Sequence, residues 1–598
     1  MTNQKYSVNQ HYIETVLNWI KSGEIAIPEI QRPFVWDNAK VRDLIDSLYN
    51  GYPIGYLIAW RNPDVRLKNG DISAGKKILI DGQQRVKALT TAILGRNIVN
   101  KDYKFIRIRI AYHPLEDIFE VSNTAIERDG TWLPDISKII TGEIAIHKIV
   151  REYCNKNSDV DEDFLFGKIE SLRDIAKKPL GLIELYPDLD IETVTEIFIR
   201  INSQGVELSQ ADFAMSKISA NEECNGPLLR KCIDYFSHLA VAPEFYQQLV
   251  DLDEEFRNSE YLSKVSWLKN EKEDLYDPSY SDVLRVAFTS EFNRGKLADL
   301  VSLLSGRNFE ERTYEDEIVK NSFKTLRDGV LNFINETNFK RYLMIIKSSG
   351  FISPKLIRSQ NTLNFGYVLY LKLKSLGYKP GNIEKYIRRW FVMSVLTGRY
   401  TASPEGMFDR DVKNIKKDNF EEYLDNVEKG ELSDAFWEVS LIESMNTSVS
   451  SSPYFNVYLA AQAKENDRGF LSKEITVQDL ITHRGDIHHI FPREYLKKFD
   501  LKRGRYNQIA NFVYMQSEIN IAIGKKSPNV YFQELVDQVN GKKTKYGAID
   551  DKKELMKNLK VNCIPEDIFD MDIDKYDEFL VKRRKLMAEK IKKYYFSL

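Results

Sequence analysis

The length of the chain is the property that most restricts how it can fold. Its 598 residues exceed what one hydrophobic core organises, so the sequence predicts two or three domains. Hydrophobic residues make up 43% and charged residues 29%, the balance of an ordinary globular protein. No run of about 18 apolar residues and no secretory signal is visible, and the four cysteines are scattered without a CxxC pair. We therefore expect a cytoplasmic protein with reduced thiols and no membrane segment.

Patterns of apolar residues divide the chain into three blocks. Residues 1–225 contain both helical and strand-like patterns of apolar residues, with strands predicted over 55–60 and 104–112. Residues 226–450 carry apolar side chains at three- and four-residue steps, which predicts a helical domain. Residues 451–598 contain the histidine cluster and end in a charged helix. The expected fold class is a multidomain α+β protein with an α/β N-terminal domain and a central helical domain.

The clearest pattern of the first block is a strand, a tight turn and a helix in "KKILIDGQQRVKALTTAILG" (76–95). Asp81 and Gly82 form the turn, and apolar residues recur at helical spacing from Gln84 onward. A helix N-terminus offers free N–H groups to an anion, and Gly82 permits close approach of a ligand. Arg85 could clamp a phosphate, and Asp81 could hold a metal ion or act on a water. The alternative is that Gly82 only makes the turn.

A second candidate binding element is the loop "IPEIQRPFVWDN" (27–38). Gln31, Arg32, Phe34 and Trp36 crowd this loop just before a predicted helix. Polar and aromatic side chains mixed on a loop are typical of a binding wall. The alternative is that the two aromatic rings cover the local core.

The third block contains two adjacent histidines, His488 and His489, in "RGDIHHIFPREYL" (484–496), with a third, His483, just before them. Downstream, "ANFVYM" alternates like a strand and "SEINIAIGKK" predicts a helix that carries Asn520. A hairpin followed by a helix can bring His488, His489 and Asn520 to one point. The alternative is that the two histidines are only a buried or exposed pair. Imidazole and amide oxygen are suitable ligands for a divalent metal, and one histidine can act as a general base on water.

The charge of the chain is distributed unevenly. Residues 481–598 contain 24 Lys+Arg and 17 Asp+Glu, a net charge of +7, whereas the whole chain carries −2. An excess of positive charge beside the histidines suits a region that binds a polyanion. A solvated basic surface explains the same excess equally well.

The segments "DIHHIFP", "NFVYMQSEIN" and "KKSP", in this order, resemble the ββα-metal fold of HNH nucleases. The resemblance implies that His489 is the general base of phosphodiester hydrolysis. It implies that His488 and Asn520 are ligands of Mg²⁺ or Mn²⁺ and that Asp486 supports or joins the metal shell.

The same resemblance implies roles for residues around the metal site. Asn511 corresponds to the middle asparagine of the family, which braces the loop carrying the base. Lys525 or Lys526 would lie near the scissile phosphate. The C-terminal block is then expected to be a ββα-metal (HNH) nuclease domain set among helices.

The N-terminal segments "QRPFVW", "IDGQQR" and "FIRINSQGVELSQAD" resemble the ParB-like domain of GmrSD-type modification-dependent restriction enzymes. The resemblance implies that this domain binds or hydrolyses a nucleoside triphosphate (GTP, UTP or ATP), with Asp81 and Arg85 acting in catalysis. The positions implied for the nucleotide site are Gln31, Arg32, Asp81, Gly82, Gln84, Arg85 and Asn202.

The sequence thus predicts a DNA endonuclease of anti-phage defence that acts on modified DNA. Its parts would be a ParB-like nucleotide-binding domain (1–225), a helical linker domain (226–450) and an HNH domain (451–598). The expected partners are DNA, in particular modified phage DNA, and a nucleoside triphosphate. A homodimer is a possible assembly. Two alternatives stay open: an HNH nuclease that cleaves RNA or tRNA, and a ParB-like DNA-binding regulator whose C-terminal domain does not cut.

Overall fold

The computed structural model describes most of the chain and shows a mixed α+β protein that is mostly helical. The described residues are 4–26, 34, 36–61, 77–99, 105–187, 189, 193–194, 197, 209–416, 419–483 and 485–598. They form two compact units, Met1–Asn221 and Glu222–Leu598. The helical block and the C-terminal block lie in the same unit, so a domain boundary near residue 450 stays a prediction. Among the described helices, none is long and apolar enough to cross a membrane.

The first unit combines short strands with helices that pack on them. Its strands are β1 Tyr6–Tyr12, β2 Ile25–Ala26, β3 Tyr56–Arg61, β4 Lys77–Asp81, β5 Ile98–Val99, β6 Phe105–Ile106, β7 Ile110–His113, β8 Ile118–Val121 and β9 Pro179–Leu185. Its α-helices are Ile13–Ser22, Asn38–Tyr49, Gln83–Ala92, Thr124–Arg128, Ser137–Ile140, Ile146–Lys156, Glu162–Arg173 and Gln210–Ala220, with a 3-10 turn at Asp174–Lys177.

Five of these strands form one mixed sheet in the order β1-β9-β3-β4-β2. The pairs β9–β3 and β4–β2 are parallel, whereas β1–β9 and β3–β4 are antiparallel. Alternate residues point to opposite faces of a sheet, and one face supplies Leu57, Leu79 and Leu182 to the main hydrophobic core of the unit. The other face carries Ile58 and Leu185, which pack with Val194. The sheet therefore holds β4, and the turn that follows it, between two apolar layers.

The sequence predictions in this unit have different outcomes. The strands expected at 55–60 and 78–80 and the helix after Gly82 are confirmed by β3, β4 and the helix Gln83–Ala92. The single strand predicted over 104–112 is wrong, because the described residues form two strands there. Phe105–Ile106 pairs with β5, and Ile110–His113 pairs with β8, so each half follows its own partner.

The second unit is built almost entirely from helices, as the apolar spacing predicts. Its α-helices are Gly226–Val241, Tyr246–Leu252, Glu254–Arg257, Glu260–Val265, Tyr280–Phe292, Leu297–Leu304, Asp316–Ile334, Glu336–Ser348, Gln360–Ser375, Pro380–Thr397, Pro404–Lys413, Phe420–Glu431, Leu441–Ser444, Pro453–Lys464, Val477–Thr482, Arg493–Leu496, Arg503–Tyr506, Ser517–Ile523, Pro528–Val539, Lys552–Val561 and Tyr576–Phe596. Short 3-10 turns lie at Pro243–Phe245, Ser266–Asn270, Pro354–Leu356, Lys497–Phe499, Ile509–Asn511, Glu566–Asp570 and Ile573–Lys575, and a π-helical turn at Phe436–Ser440.

The described part of this unit has two strands, β10 Ile487–His489 and β11 Phe512–Tyr514. They pair with each other and with no third strand among the described residues. A two-stranded ribbon is marginal in water unless other elements pack on it. Here Phe512 and Val513 are buried, so the surrounding helices stabilise the ribbon.

Candidate functional site

The histidine cluster lies on the first strand of an antiparallel pair. In this pair His488 faces Val513 and His489 faces Phe512. The chain leaves β11 and enters the helix Ser517–Ile523, which carries Asn520. The hairpin-like pair followed by a helix, expected from the sequence, is thus present, and it places the candidate base and the candidate metal ligands on consecutive elements.

His489 is held by one hydrogen bond and two aromatic rings. Its Nε2 atom lies 2.9 Å from the Oδ1 atom of Asn507. The ring packs edge-on against Phe512, with ring centroids 5.2 Å apart, and lies 6.3 Å from the ring of Tyr506. An amide oxygen only accepts hydrogen bonds, so Nε2 carries the proton and Nδ1 keeps its lone pair. The imidazole is therefore fixed in the tautomer that can accept a proton at Nδ1.

The surroundings of His489 favour its neutral form. Burial lowers the pKa of His489 from its ordinary value of 6.5. Repulsion from Arg493, and from His488 when it is protonated, lowers the pKa further, while the bond to Asn507 opposes these effects. A neutral imidazole at pH 7 is the form that a general base requires.

The side chain of Asn511 forms hydrogen bonds to the segment that follows His489. Its side chain is fully buried and forms three hydrogen bonds to backbone atoms. Oδ1 accepts from the N–H of Phe491 at 2.8 Å, and Nδ2 donates to the carbonyls of Phe491 and Tyr506 at 3.1 Å each. These bonds fix the segment between His489 and β11. The bracing role implied by the resemblance stays a prediction.

Two residues far away in sequence also hold the strand pair. Arg583, on the C-terminal helix, is fully buried and donates to the carbonyls of Ala510 and Phe512 at 2.8 Å. The hydroxyl of Tyr531 donates to the carbonyl of Ile490 at 2.9 Å. Local sequence patterns do not point to Arg583, Tyr531 or Asn507, because each residue acts through a contact distant in sequence.

On the same strand, β10, His488 has a ring nitrogen without a hydrogen-bond partner among the described residues. Its Nε2 atom is buried and has no hydrogen-bond partner among the described residues. Burial lowers the pKa of His488, and the negative charge of Asp486 opposes this effect. Buried polar atoms in proteins are nearly always paired, so an unpaired one calls for an explanation. A neutral imidazole nitrogen beside a carboxylate fits a divalent metal ion.

Asn520 and Asp486 complete the donor set implied by the resemblance. The backbone N–H of Asn520 donates to the carbonyl of Gln516, while its side chain bonds to no residue that the structure describes. No group of three His, Cys, Asp or Glu side chains able to hold a metal is found among the described residues. The implied shell contains only two such residues, Asp486 and His488, together with one amide.

The two candidate phosphate-facing lysines differ in their surroundings. Lys526 donates to Glu534 and to the hydroxyl of Tyr546, both at 2.7 Å. Lys525 is exposed and bonds to no residue within the described ranges. Lys526 is therefore committed to a local network, and Lys525 is the lysine that is available to an incoming phosphate.

In the first unit, the turn after β4 depends on glycine. Gly82 has φ = 95°, a left-handed conformation that residues with a side chain rarely adopt. A Cβ atom at this position would lie 2.2 Å from Cδ2 of Leu57. The turn leads into the helix Gln83–Ala92, which has no side-chain cap at its N-terminus. No side chain therefore caps the first turn of this helix, and a helix N-terminus is an environment that favours an anion.

Arg85 and Asp81 form an ion pair across this turn. The distance between Nη2 of Arg85 and Oδ2 of Asp81 is 3.0 Å, and Nη1 donates to the carbonyls of Ile54 and Tyr56 at 3.3 and 2.7 Å. The guanidinium therefore joins the start of the helix to β3 and retains further N–H groups. Gln84 lies half-buried on the same turn.

The other residues predicted to line the nucleotide site or to form the binding wall of the loop 27–38 do not join the Asp81–Arg85 turn among the described contacts. Gln31, Arg32 and Asn202 lie outside the residues that the structure describes. Phe34 is buried, and its ring centroid lies 6.5 Å from that of Trp36. Phe34 belongs to the core of the unit, and Trp36 is partly buried and packs against that core, so the alternative interpretation of the two aromatic residues applies.

Comparison with known proteins gives two matches. The chain is 21% identical over 640 aligned positions to an uncharacterized protein of Methanocaldococcus jannaschii, MJ0686, with 97% of this chain and 98% of that protein covered. Residues 13–219 match the family described as "GmrSD restriction endonuclease, N-terminal domain". This match lies within the first unit and includes the Asp81–Arg85 turn.

Proposed function

We propose that the protein is a modification-dependent DNA endonuclease of anti-phage defence whose C-terminal HNH centre hydrolyses phosphodiester bonds. The observation that carries this proposal is the environment of His489. Its Nε2 atom is held by Asn507, and burial keeps the ring neutral. A histidine with a fixed tautomer and a lowered pKa is suited to take a proton from water.

The residues of the centre have the following tasks. Nδ1 of His489 accepts a proton from a water whose oxygen attacks the phosphorus atom, and the bond to the leaving sugar oxygen breaks. Asn507 keeps the ring in position, and Asn511 keeps the segment after the ring in position. Exposed Lys525 can attract the phosphate before the reaction.

The donor set around His488 supports a role for Mg²⁺ or Mn²⁺. Asp486, His488 and Asn520 would hold the ion, and the bare Nε2 atom of His488 fits this assignment. When bound, the ion would supply positive charge that stabilises the phosphate as negative charge develops during cleavage.

The N-terminal unit would bind or hydrolyse a nucleoside triphosphate and thereby regulate cutting. The Gly82 turn offers backbone N–H groups, and Arg85 offers a guanidinium already oriented by Asp81. A nucleotide that binds better to one state of the protein shifts the population toward that state by its differential affinity. Nucleotide state would then set the fraction of protein able to cut, which limits damage to the host.

The test of this function is cleavage of modified and unmodified phage DNA, with GTP, UTP or ATP added separately. We expect metal-dependent cutting of modified DNA, and we expect Asp81→Ala and Arg85→Ala to change its dependence on nucleotide. Lys21→Ala, on the helix Ile13–Ser22 of the same unit, is the control. Matched RNA substrates form a further arm, because HNH chemistry alone does not select the sugar. Cleavage of RNA only, or no cleavage of any substrate, would contradict the proposal.

A further inference from the structure

A pocket of about 340 Å³ lies beside the candidate nuclease helix, in the second unit. Ligand pockets in proteins span roughly 300–1,000 Å³, so this one has the size for a small molecule or one nucleoside. The lining of this pocket includes Ser472, Lys473, Ile475, Gln516, Ile519 and Lys545.

The side chain of Gln516 is oriented by a hydrogen-bond relay. Oγ of Ser472 accepts from the N–H of Ile475 at 3.1 Å and donates to Oε1 of Gln516 at 3.0 Å. Because the amide oxygen receives this bond, both N–H groups of Gln516 remain to donate. They bond to no other described residue, and Gln516 lines the pocket. The pocket thus contains an oriented amide donor.

The charges around the pocket argue against a phosphate as its ligand. Lys473 is paired with Asp550 at 2.8 Å, and Lys545 is paired with Glu534 at 3.1 Å. Both lysines are therefore already compensated, and two glutamates, Glu474 and Glu518, also line the pocket. A site with compensated cations and added carboxylates does not favour an anion.

The remaining surfaces suit a flat, neutral group with hydrogen-bonding edges. Ile475 and Ile519 supply apolar walls, Gln516 supplies donors, and Glu518 supplies an acceptor. A nucleobase has apolar faces and an edge with both donors and acceptors, and glutamine amides and carboxylates are common partners of such edges.

The pocket is one helical turn from the candidate metal ligand. Gln516 and Asn520 are four residues apart, and the N–H of Asn520 donates to the carbonyl of Gln516. On a helix such residues lie on one face, about 5–6 Å apart. A base in the pocket would therefore belong to a nucleotide close to the phosphate held at the centre.

We infer that this pocket binds one unpaired nucleobase, with Gln516 as the residue that reads its acceptor atoms. The inference extends the proposed function, on which it rests for the identity of the substrate. The base can come from a strand that crosses the nuclease centre or from a free nucleotide. Either source presents the same chemistry to Gln516.

The experiment measures binding in EDTA, so it does not depend on cleavage. The probes are a single-stranded oligonucleotide with one 2-aminopurine, the same strand with an abasic site, a fully paired duplex and free 2-aminopurine nucleoside triphosphate. The variant is Gln516→Glu, which still accepts from Ser472 but cannot donate. Gln478→Glu, an exposed glutamine on the helix Val477–Thr482, is the control for added charge. Ile475→Trp, which fills the pocket, is a second variant.

We expect Gln516→Glu and Ile475→Trp to weaken binding of the 2-aminopurine strand about tenfold, with no effect of Gln478→Glu. The abasic strand and the duplex should bind equally to all proteins. A Gln516-dependent change with the free nucleotide alone would identify that molecule as the source of the base. Equal binding of both base-containing probes by the parent and the two pocket variants would overturn the inference. DNA cleavage by those variants at the parent rate would still leave the proposed function intact.

Discussion

The 2.9 Å contact between Nε2 of His489 and Oδ1 of Asn507 joins two residues that the sequence separates by 18 positions. It fixes the tautomer of the candidate base and leaves Nδ1 free to take a proton. The chemistry proposed for the C-terminal unit depends on this contact more than on the number of histidines nearby.

Changing Asn507 should alter the pH dependence of cleavage. Asn507→Asp places a carboxylate beside Nε2, which stabilises the imidazolium and raises the pKa of His489. A general base works when deprotonated, so the acidic limb of the kcat/KM profile should move to higher pH. In the parent, that limb should lie below pH 6.5, because burial lowers the pKa of His489.

Asn507→Ala should instead lower kcat by about 10–100-fold without loss of folding. The control for Asn507→Asp is Asn540→Asp, which adds the same charge at an exposed position of the same unit. If Asn507→Asp and Asn540→Asp give the same pH profile as the parent, Asn507 does not act on the base.

Asn511→Ala should destabilise the second unit and stop cleavage. The substitution removes three hydrogen bonds to buried backbone and leaves their partners unsatisfied, at a cost of about 3 kcal/mol in the free energy of unfolding. Denaturant unfolding followed by circular dichroism measures this change. Asn507→Ala is the comparison variant, because the bond that it removes is to the ring of His489 and not to the backbone. Equal stability of parent and Asn511→Ala would refute the bracing role.

Gly82→Ala should abolish nucleotide binding by the first unit. The new Cβ atom would meet the Leu57 side chain at 2.2 Å in addition to the strain of a left-handed φ. Gly51→Ala is the matched control, because Gly51 has φ = 74° with no atom within 4 Å of the new Cβ. Calorimetric titration with GTP, UTP and ATP should show loss of binding only for Gly82→Ala. The same affinity in both variants would mean that the turn does not form the site.

The Lys526–Glu534 contact should stabilise the second unit in a pH-dependent way. Burial opposes ionisation of Glu534, but the bonds from Lys526, Tyr546 and Lys545 prevail and lower its pKa from 4.5 to about 2. A carboxyl group with a lowered pKa stabilises the fold above pH 4.5, and this contribution is lost as pH falls toward 2.

Glu534→Gln should therefore unfold more readily than the parent at pH 7, and the difference should shrink between pH 4.5 and 2. Thermal melting across this range tests the effect, with exposed Glu518→Gln as the control. A difference that is constant with pH would exclude the ionised carboxylate as its cause.

The sequence was sufficient for elements whose signals are local. The strand, turn and helix around Gly82 follow from an apolar run, a turn pair and helical spacing within 20 residues, and the ribbon with its helix follows from similar patterns. The strand predicted over 104–112 failed because alternation does not show where a strand changes partner.

The supports of the candidate site could not be predicted from local patterns. Arg583 reaches Phe512 across 71 positions, and nothing around Arg583 distinguishes it from the other basic residues of the C-terminal helix. Lys525 and Lys526 are equivalent in sequence, and only the packing of Glu534 and Tyr546 separates them. Such distinctions depend on tertiary contacts.

The most direct test of the central claim is the rate of DNA cleavage by His489→Ala. The control is His483→Ala, which removes the exposed third histidine of the cluster at the end of the helix Val477–Thr482. With Mg²⁺ present, His483→Ala should cut modified DNA at the parent rate, and His489→Ala should be slower by about 10²–10⁴. Cleavage at the parent rate by a folded His489→Ala protein would contradict the account.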